Sequence, residues 1–246
     1  MDSAHARGPG SEPRRDTLLT RAVFFDVDFT LIYPGPTFQA EGYRQACADH
    51  GVEVDPSRFD EATSASSFIL DEVEDQIYNH DLFVHYTASI IEQMGGRGER
   101  VIDVARQIYE QWSVNQHFEI YDDVTPALAV LQRMGLTVGV ISNSHRSLDA
   151  FCEHFALHHV ISVSISSAEH GYMKPHRSIF DAALARAGVA AAEAMMVGDS
   201  LKHDIEGALA MGMRAVLLRR SGELPTGLPA SLPVITTLAD LPILLP

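Results

Sequence analysis

The stretch Ala22-Val23-Phe24-Phe25-Asp26-Val27-Asp28-Phe29-Thr30-Leu31 decides how the rest of the chain is read. Residues 22–25 are apolar and rich in β-forming types, which predicts a strand buried on both faces. Asp26 and Asp28 follow at its carboxyl end, and two carboxylates cannot both sit unpaired in a core. Something positive must meet them, and a metal ion is the simplest candidate. In an open α/β sheet the carboxyl edge is also where ligands bind.

Working outward, Pro34-Gly35-Pro36 interrupts regular structure. From about Phe38 to about Trp112 the apolar spacing is helical, with candidate helices at 38–50, 56–73, 81–94 and 99–112. Gly51 and Gly95-Gly96 stand where helix ends are expected. No strand pattern interrupts this block, so it reads as a helical insert rather than as part of a βαβ alternation. From about Tyr121 the alternation resumes. Strands are predicted at 136–141, 160–165, 194–197, 215–218 and 234–236, with helices at 123–134, 146–155, 176–187 and 201–211. Such alternation predicts a Rossmann-like α/β core, its parallel sheet covered on both faces by helices. The resulting division is a disordered leader over 1–20, an α/β core made of 21–33 and 119–246, and a helical insert over 34–118.

The 246 residues suffice for one sizeable domain with an insert. A net charge of −15 disfavours nonspecific association with nucleic acid or anionic lipid. It does not exclude an anionic substrate, because a local site can carry the opposite sign. No apolar run approaches the roughly 20 residues of a spanning helix, so no membrane insertion is expected. Residues 1–20 have no central apolar block and do not read as a secretory signal. Cys47 and Cys152 make no disulfide framework and read as thiols in a reducing compartment. A cytoplasmic location is the default expectation. The sequence leaves oligomeric state open, and an acidic chain of this size is compatible with a monomer.

Polar groups recur at the predicted strand ends: Asp26 and Asp28, then Ser142 and Asn143, then Asp199. Lys174 joins from a loop beside Pro175, and Asp204 follows Asp199 by five residues. In a parallel sheet these ends converge on one crevice. Carboxylates, an amine, a hydroxyl and an amide together suit Mg²⁺ and a phosphoryl group. The sequence resembles the haloacid dehalogenase-like hydrolase superfamily. Asp26-Val27-Asp28-Phe29-Thr30, Ser142-Asn143, Lys174-Pro175 and Gly198-Asp199-Ser200 with Asp204 match its four motifs in order. The resemblance covers roughly residues 21–240.

What the resemblance implies is a Mg²⁺-dependent phosphatase acting on a small phosphate monoester. Asp26 would attack phosphorus to form an aspartyl-phosphate. Asp28 would protonate the leaving oxygen and then activate water. The metal would be held by Asp26, by the backbone carbonyl of Asp28 and by Asp199, with Asp204 in support. Ser142 and Asn143 would hold the phosphoryl group, Lys174 would offset its charge, and Thr30 would position the loop around Asp28. The helical insert would be a cap closing over the site, hinged near 34–36 and 117–121. Asp28 also argues against dehalogenation, because a halide leaving group needs no proton. Phe29 stands where the family usually has Gly, at a point where backbone freedom matters.

Two alternatives stay open. One is a phosphomutase returning the phosphoryl group to a sugar, and the other is a non-enzymatic binding module that kept the fold. The remaining features have plainer readings. His154, His158 and His159 near Cys152 read as surface or boundary residues rather than zinc ligands. The acidic run 71–75 reads as a solvated helix face. Tyr33, Phe38, Phe68, Tyr78 and Phe83 read as cap core or pocket lining, and Arg44 and Arg97 are candidate substrate contacts.

Overall fold

The computed structural model describes residues 19–220, 224 and 227–245. Strand β1 (Ala22–Phe25) is buried along its whole length. Its side chains alternate between two apolar clusters, as the two-residue period of a strand requires. Val23 and Phe25 pack into one cluster, Ala22 and Phe24 into the other. After β1 the chain forms a short strand, β2 (Ile32–Pro34), and then helices α1 (Ala40–Asp49), α2 (Phe59–Ser66), α3 (Phe68–Asp71), α4 (His80–Gln93) and α5 (Val101–Gln111). Strand β3 (Phe118–Ile120) pairs antiparallel with β2, so both ends of the helical block are tied together. The Gly35 amide also donates to the His117 carbonyl at 2.7 Å.

The alternation then runs α6 (Val124–Arg133), β4 (Thr137–Ser142), α7 (Leu148–His154), β5 (Ile161–Ser166), α8 (Ser167–His170) and α9 (Arg177–Ala187). It continues through β6 (Ala194–Gly198), a π-helical turn over 201–206, α10 (Gly207–Ala210), β7 (Arg214–Leu218) and β8 (Val234–Ile235). The strands form a six-stranded sheet in the order β5-β4-β1-β6-β7-β8, and every pairing is parallel. The chain fills one side of β1 with β4 and β5, then crosses to the other with β6, β7 and β8. Neighbouring connections diverge at that switch, which opens a crevice at the carboxyl end of β1. Gly139 on β4 faces Phe24, and an added Cβ would stand 2.7 Å from the ring. The apolar cluster on one sheet face continues into the helical block through Phe38, Tyr43 and Cys47.

Several stretches differ from the sequence expectation, among them strands β2 and β3 and helix α8, which it did not include. The helix predicted over 56–73 is a 3₁₀ turn at Pro56–Arg58 followed by α2 and α3. Serines break it: the Ser67 hydroxyl donates to the Ser64 carbonyl, competing with the helical ladder. The helix predicted over 201–211 opens with the π turn. A 3₁₀ segment at Leu238–Leu244, anchored by buried Leu238 and Leu241, was not expected. Of the expected leader only Leu19 and Thr20 lie within the described residues. Thr20 is buried, and its hydroxyl accepts a bond from Arg214 Nη1 at 2.5 Å. Both cysteines are buried free thiols. Among the described residues no helix is long and apolar enough to cross a membrane.

Candidate active site

The crevice beyond β1 is built from backbone ends and one buried cation. Asp26 continues β1 and its amide donates to the Val197 carbonyl of β6, which fixes the side chain at the sheet edge. Lys174 reaches the same point from the loop after α8. Its ammonium is almost fully buried and donates to Asp26 Oδ1 at 2.5 Å and to Asp204 Oδ1 at 2.6 Å. Asn143, just past β4, holds that loop in place. Its amide donates to the Lys174 carbonyl at 2.9 Å and its oxygen accepts from the Lys174 amide at 2.7 Å. Both ends of Asn143 are thereby used to position Lys174. Ser142 is buried, and its hydroxyl donates to Ser144 Oγ at 2.9 Å.

Asp199 and Asp204 enter from the end of β6. Gly198 explains how they fit. A Cβ there would lie 2.2 Å from Asp204 Oδ2, so only glycine lets that carboxylate lie against the strand end. The same oxygen accepts from the Ser200 amide at 3.1 Å. The π turn carries Asp204 inward, an irregularity of the kind that recurs at functional sites. One oxygen each from Asp26, Asp199 and Asp204 lies within 4.8 Å of the others. Among the described residues this is the one group of carboxylates, imidazoles or thiols spaced to share a metal ion. The histidines near Cys152 form no such group.

Charge in this cluster is unbalanced. Burial pushes the Asp26 carboxyl well above its usual range; Lys174 opposes that, while Asp204, Asp199 and Asp28 add to it. Burial, reinforced by Asp204, raises Asp199 to about 7. Burial alone would depress the Lys174 amine, but Asp204 and Asp26 hold it above its ordinary value. With all three carboxyls ionised, one ammonium leaves two negative charges, which a divalent cation would neutralise. All-oxygen donors are those that hard cations prefer, so these residues fit a metal ion.

Asp28 stands apart from the cluster. Arg146 Nη1 donates to Asp28 Oδ1 at 2.9 Å, while Nη2 donates to the Trp112 carbonyl at 2.9 Å. The guanidinium lies 4.3 Å over the Phe118 ring, and its side chain is fully buried. The sequence reading did not single out Arg146. Its position four residues after Ser142 was the available clue, but an isolated arginine carries no signature of burial. Arg44 and Arg97, which were singled out, lie elsewhere: Arg44 pairs with exposed Glu41, and Arg97 donates to the Glu92 and Gly96 carbonyls. Thr30 is buried, and its hydroxyl donates to Asp199 Oδ1 at 3.4 Å. Arg220 braces the same loop by donating to the Thr30 carbonyl and to both oxygens of Asp123. Phe29 has φ 63, in the left-handed region that disfavours bulky side chains. Phe29 therefore holds a backbone conformation that glycine adopts more readily.

The helical block contacts this edge. The Tyr78 amide donates to the Gly171 carbonyl and the Met173 amide to the Gln76 carbonyl. Lys202 donates to the Asp71 carbonyl, and His203 lies 3.5 Å from the Asp71 carboxylate. Between block and core lies a cavity of about 360 Å³, bordered by Asp28, Phe29, Asn143 and Ser144 on the core side.

Known proteins resemble the chain over most of its length. A family model described as haloacid dehalogenase-like hydrolase matches residues 20–212. The chain is 28% identical over 207 residues to the glyceraldehyde 3-phosphate phosphatase of Methanopyrus kandleri, covering 82% of this chain and 85% of that protein. A crystal structure of a HAD phosphatase from Thermococcus onnurineus superposes with a TM-score of 0.63 at 24% identity, covering 92% of this chain and 97% of that one. A 2-haloacid dehalogenase from Pseudomonas syringae superposes with a TM-score of 0.61 at 26% identity, over the same shares of the two chains.

Proposed function

The chain belongs to the haloacid dehalogenase-like hydrolases, and from that premise we propose that it is a phosphatase hydrolysing a small phosphate monoester with Mg²⁺. The observation that carries this reading is the buried set of Asp26, Asp199 and Asp204 around Lys174, with Asp28 beside it at the cavity edge. A dehalogenase relative shares the fold, but a halide needs no proton donor, whereas an alkoxide leaving from phosphorus does. Asp28, which borders the cavity, would supply one from the oxygen that Arg146 does not hold.

Asp26, Asp199 and Asp204 would hold the metal, with the Asp28 backbone carbonyl. When bound, Mg²⁺ would offset the charge of these carboxylates and of the phosphoryl oxygens. An oxygen of Asp26 attacks phosphorus, the P–O bond to the leaving group breaks, and the Asp28 proton passes to the departing oxygen. Asp28, now a carboxylate, takes a proton from water as that water attacks phosphorus. The Asp26–phosphorus bond breaks, phosphate leaves and Asp26 is regenerated. Lys174 keeps Asp26 oriented and offsets charge on the transferring group. Ser142, whose hydroxyl donates to Ser144 in the free site, would turn it to a phosphoryl oxygen, and Asn143 acts by fixing Lys174. Thr30 steadies Asp199. The block over 34–118 acts as a cap that excludes bulk water. Buried free cysteines favour a cytoplasmic setting within the same reading.

The test is phosphate release from a panel of monoesters with Mg²⁺ and with EDTA, for wild type and Asp26→Asn. Metal-dependent release that disappears in the variant is the expected outcome. Wild-type turnover by Asp26→Asn would overturn the mechanism, and isomerised ester without free phosphate would indicate a mutase instead.

A further inference from the structure

The cavity between helical block and core borders Asp28, so a leaving group must occupy it when the phosphoryl group sits at Asp26. Its lining is apolar and aromatic, with Phe38, Phe59, Phe83, Ile108 and Trp112 among its walls and Phe29 at its floor. Among the described residues that line it there is no lysine or arginine. At about 360 Å³ it falls in the range of roughly 300–1,000 Å³ that small-molecule pockets occupy.

Most polar groups in the lining have partners within the protein, the Tyr86 hydroxyl and the Gln39 side-chain oxygen being exceptions among the described residues. Thr63 and Thr87 donate to the Phe59 and Phe83 carbonyls of their own helices. The Tyr109 hydroxyl is bonded to Tyr78. Asn143 is occupied by the Lys174 backbone, Ser144 by Ser142, and His203 by Ser200 and Asp71. A sugar bound here would exchange several water hydrogen bonds for few protein ones, which is unfavourable. A carboxylate or second phosphate would be desolvated with no cation opposite it.

We infer that this enzyme acts on phosphate monoesters whose alcohol is a neutral, apolar or aromatic group, not on sugar phosphates, phospho-acids or bisphosphates. The inference rests on the phosphatase reading and adds the substrate class to it. Phe29 belongs to the same design: where glycine would leave the floor open, its ring, 45% exposed, adds apolar surface beside Asp28 and lies 6.4 Å from Trp112.

The experiment is a homologous series of primary alkyl phosphates, from ethyl to octyl, assayed for kcat/KM with Mg²⁺ beside phosphoglycolate and glyceraldehyde 3-phosphate. Leaving groups in the alkyl series are nearly equal in intrinsic reactivity, so the series reads burial. Each fully buried methylene is worth up to about fourfold, and a rise of about 10²-fold across the series is expected. Ethyl phosphate should also surpass phosphoglycolate, which differs from it in carrying a carboxylate. A flat or falling series, or preference for the phospho-acid or the sugar phosphate, would overturn the substrate class while leaving a phosphatase. Binding of butyl- and octylphosphonate to the Mg²⁺-loaded protein, measured by calorimetry, reads the cavity without turnover. Tighter binding of the octyl compound with no hydrolysis of any ester would support the apolar site and overturn the phosphatase reading. Equal binding of the two would overturn the apolar site itself.

Discussion

Replacing Lys174 by Met tests the electrostatic core of the site. The substitution keeps an unbranched chain of similar volume and removes the one ammonium between Asp26 and Asp204, which it meets at 2.5 and 2.6 Å. Removing one partner of a buried ion pair costs about 3–5 kcal/mol, because the other charge is left uncompensated. For a chain of this size that is a fall of roughly 6–20 °C in melting temperature. The loss should depend on pH in a definite direction. Without Lys174 the carboxyls of Asp26 and Asp199 rise further above their ordinary values, since Lys174 is what lowers them. Folded protein then binds protons that unfolded chain releases, so stability falls as pH rises through the folded values and recovers as it falls toward the unfolded ones. Urea unfolding in EDTA at pH 8 and pH 5 should show the larger deficit at pH 8. A deficit below about 1 kcal/mol at pH 8, or one that does not shrink at pH 5, would refute the claim that these carboxylates depend on Lys174.

Three further outcomes follow from the same geometry. Arg146→Met frees Asp28, and a displaced proton donor should lower kcat about 10²-fold with KM little changed; Arg146→Lys should not rescue it, because one ammonium cannot serve Asp28 and the Trp112 carbonyl as the fork does, and an unchanged pH–rate profile in both variants would argue against this role. Metal-free wild type should gain stability as pH falls from about 7, where Asp199 takes up its proton, toward its ordinary value near 3.8; the gap in melting temperature between Mg²⁺ and EDTA samples should widen with rising pH, and a constant gap would contradict the assignment. Phe29→Gly relieves a left-handed backbone worth about 1–2 kcal/mol but adds chain entropy of about 0.5–1 kcal/mol, so stability should be unchanged or rise by up to about 1.5 kcal/mol while turnover of long alkyl esters falls; a large loss of stability would mean that the ring is structural.

The sheet and the polar strand ends were legible because each obeys a local rule. Residues 22–25 are apolar without interruption, as a strand covered on both faces must be, and the charged residues after them mark where that cover stops. Lys174 and Asp204 became readable together, since a loop lysine and an aspartate five residues past Asp199 mean little singly. The partners of each group were not legible. Asn143 turns away to clamp the Lys174 backbone, and Asp28 turns to Arg146; both choices depend on loop geometry that no spacing encodes. The π turn was equally hidden, because residues 201–211 carry the composition of an ordinary helix.

The helical block resisted reading for a different reason. Its aromatic residues satisfy the same pattern whether they face a packed core or a cavity, and the structure divides them. Phe38 and Phe83 border the cavity, whereas Tyr33 pairs with Glu119 at the β2–β3 ribbon and Phe68 is half exposed. Hydroxyls were as ambiguous, since a threonine that bonds its own helix carbonyl is indistinguishable in sequence from one that greets a substrate. The consequence is an asymmetric site. Charge is concentrated on the sheet side, where phosphoryl transfer needs it, whereas the helical side offers few polar groups, Tyr86 and Gln39 among them. On the proposed reading, reaction class would be carried by residues whose types chemistry constrains, and substrate class by residues constrained chiefly to be large and apolar. On that division Phe29, beside Asp28 at the cavity, would bear on the alcohol that leaves and not on the chemistry at phosphorus.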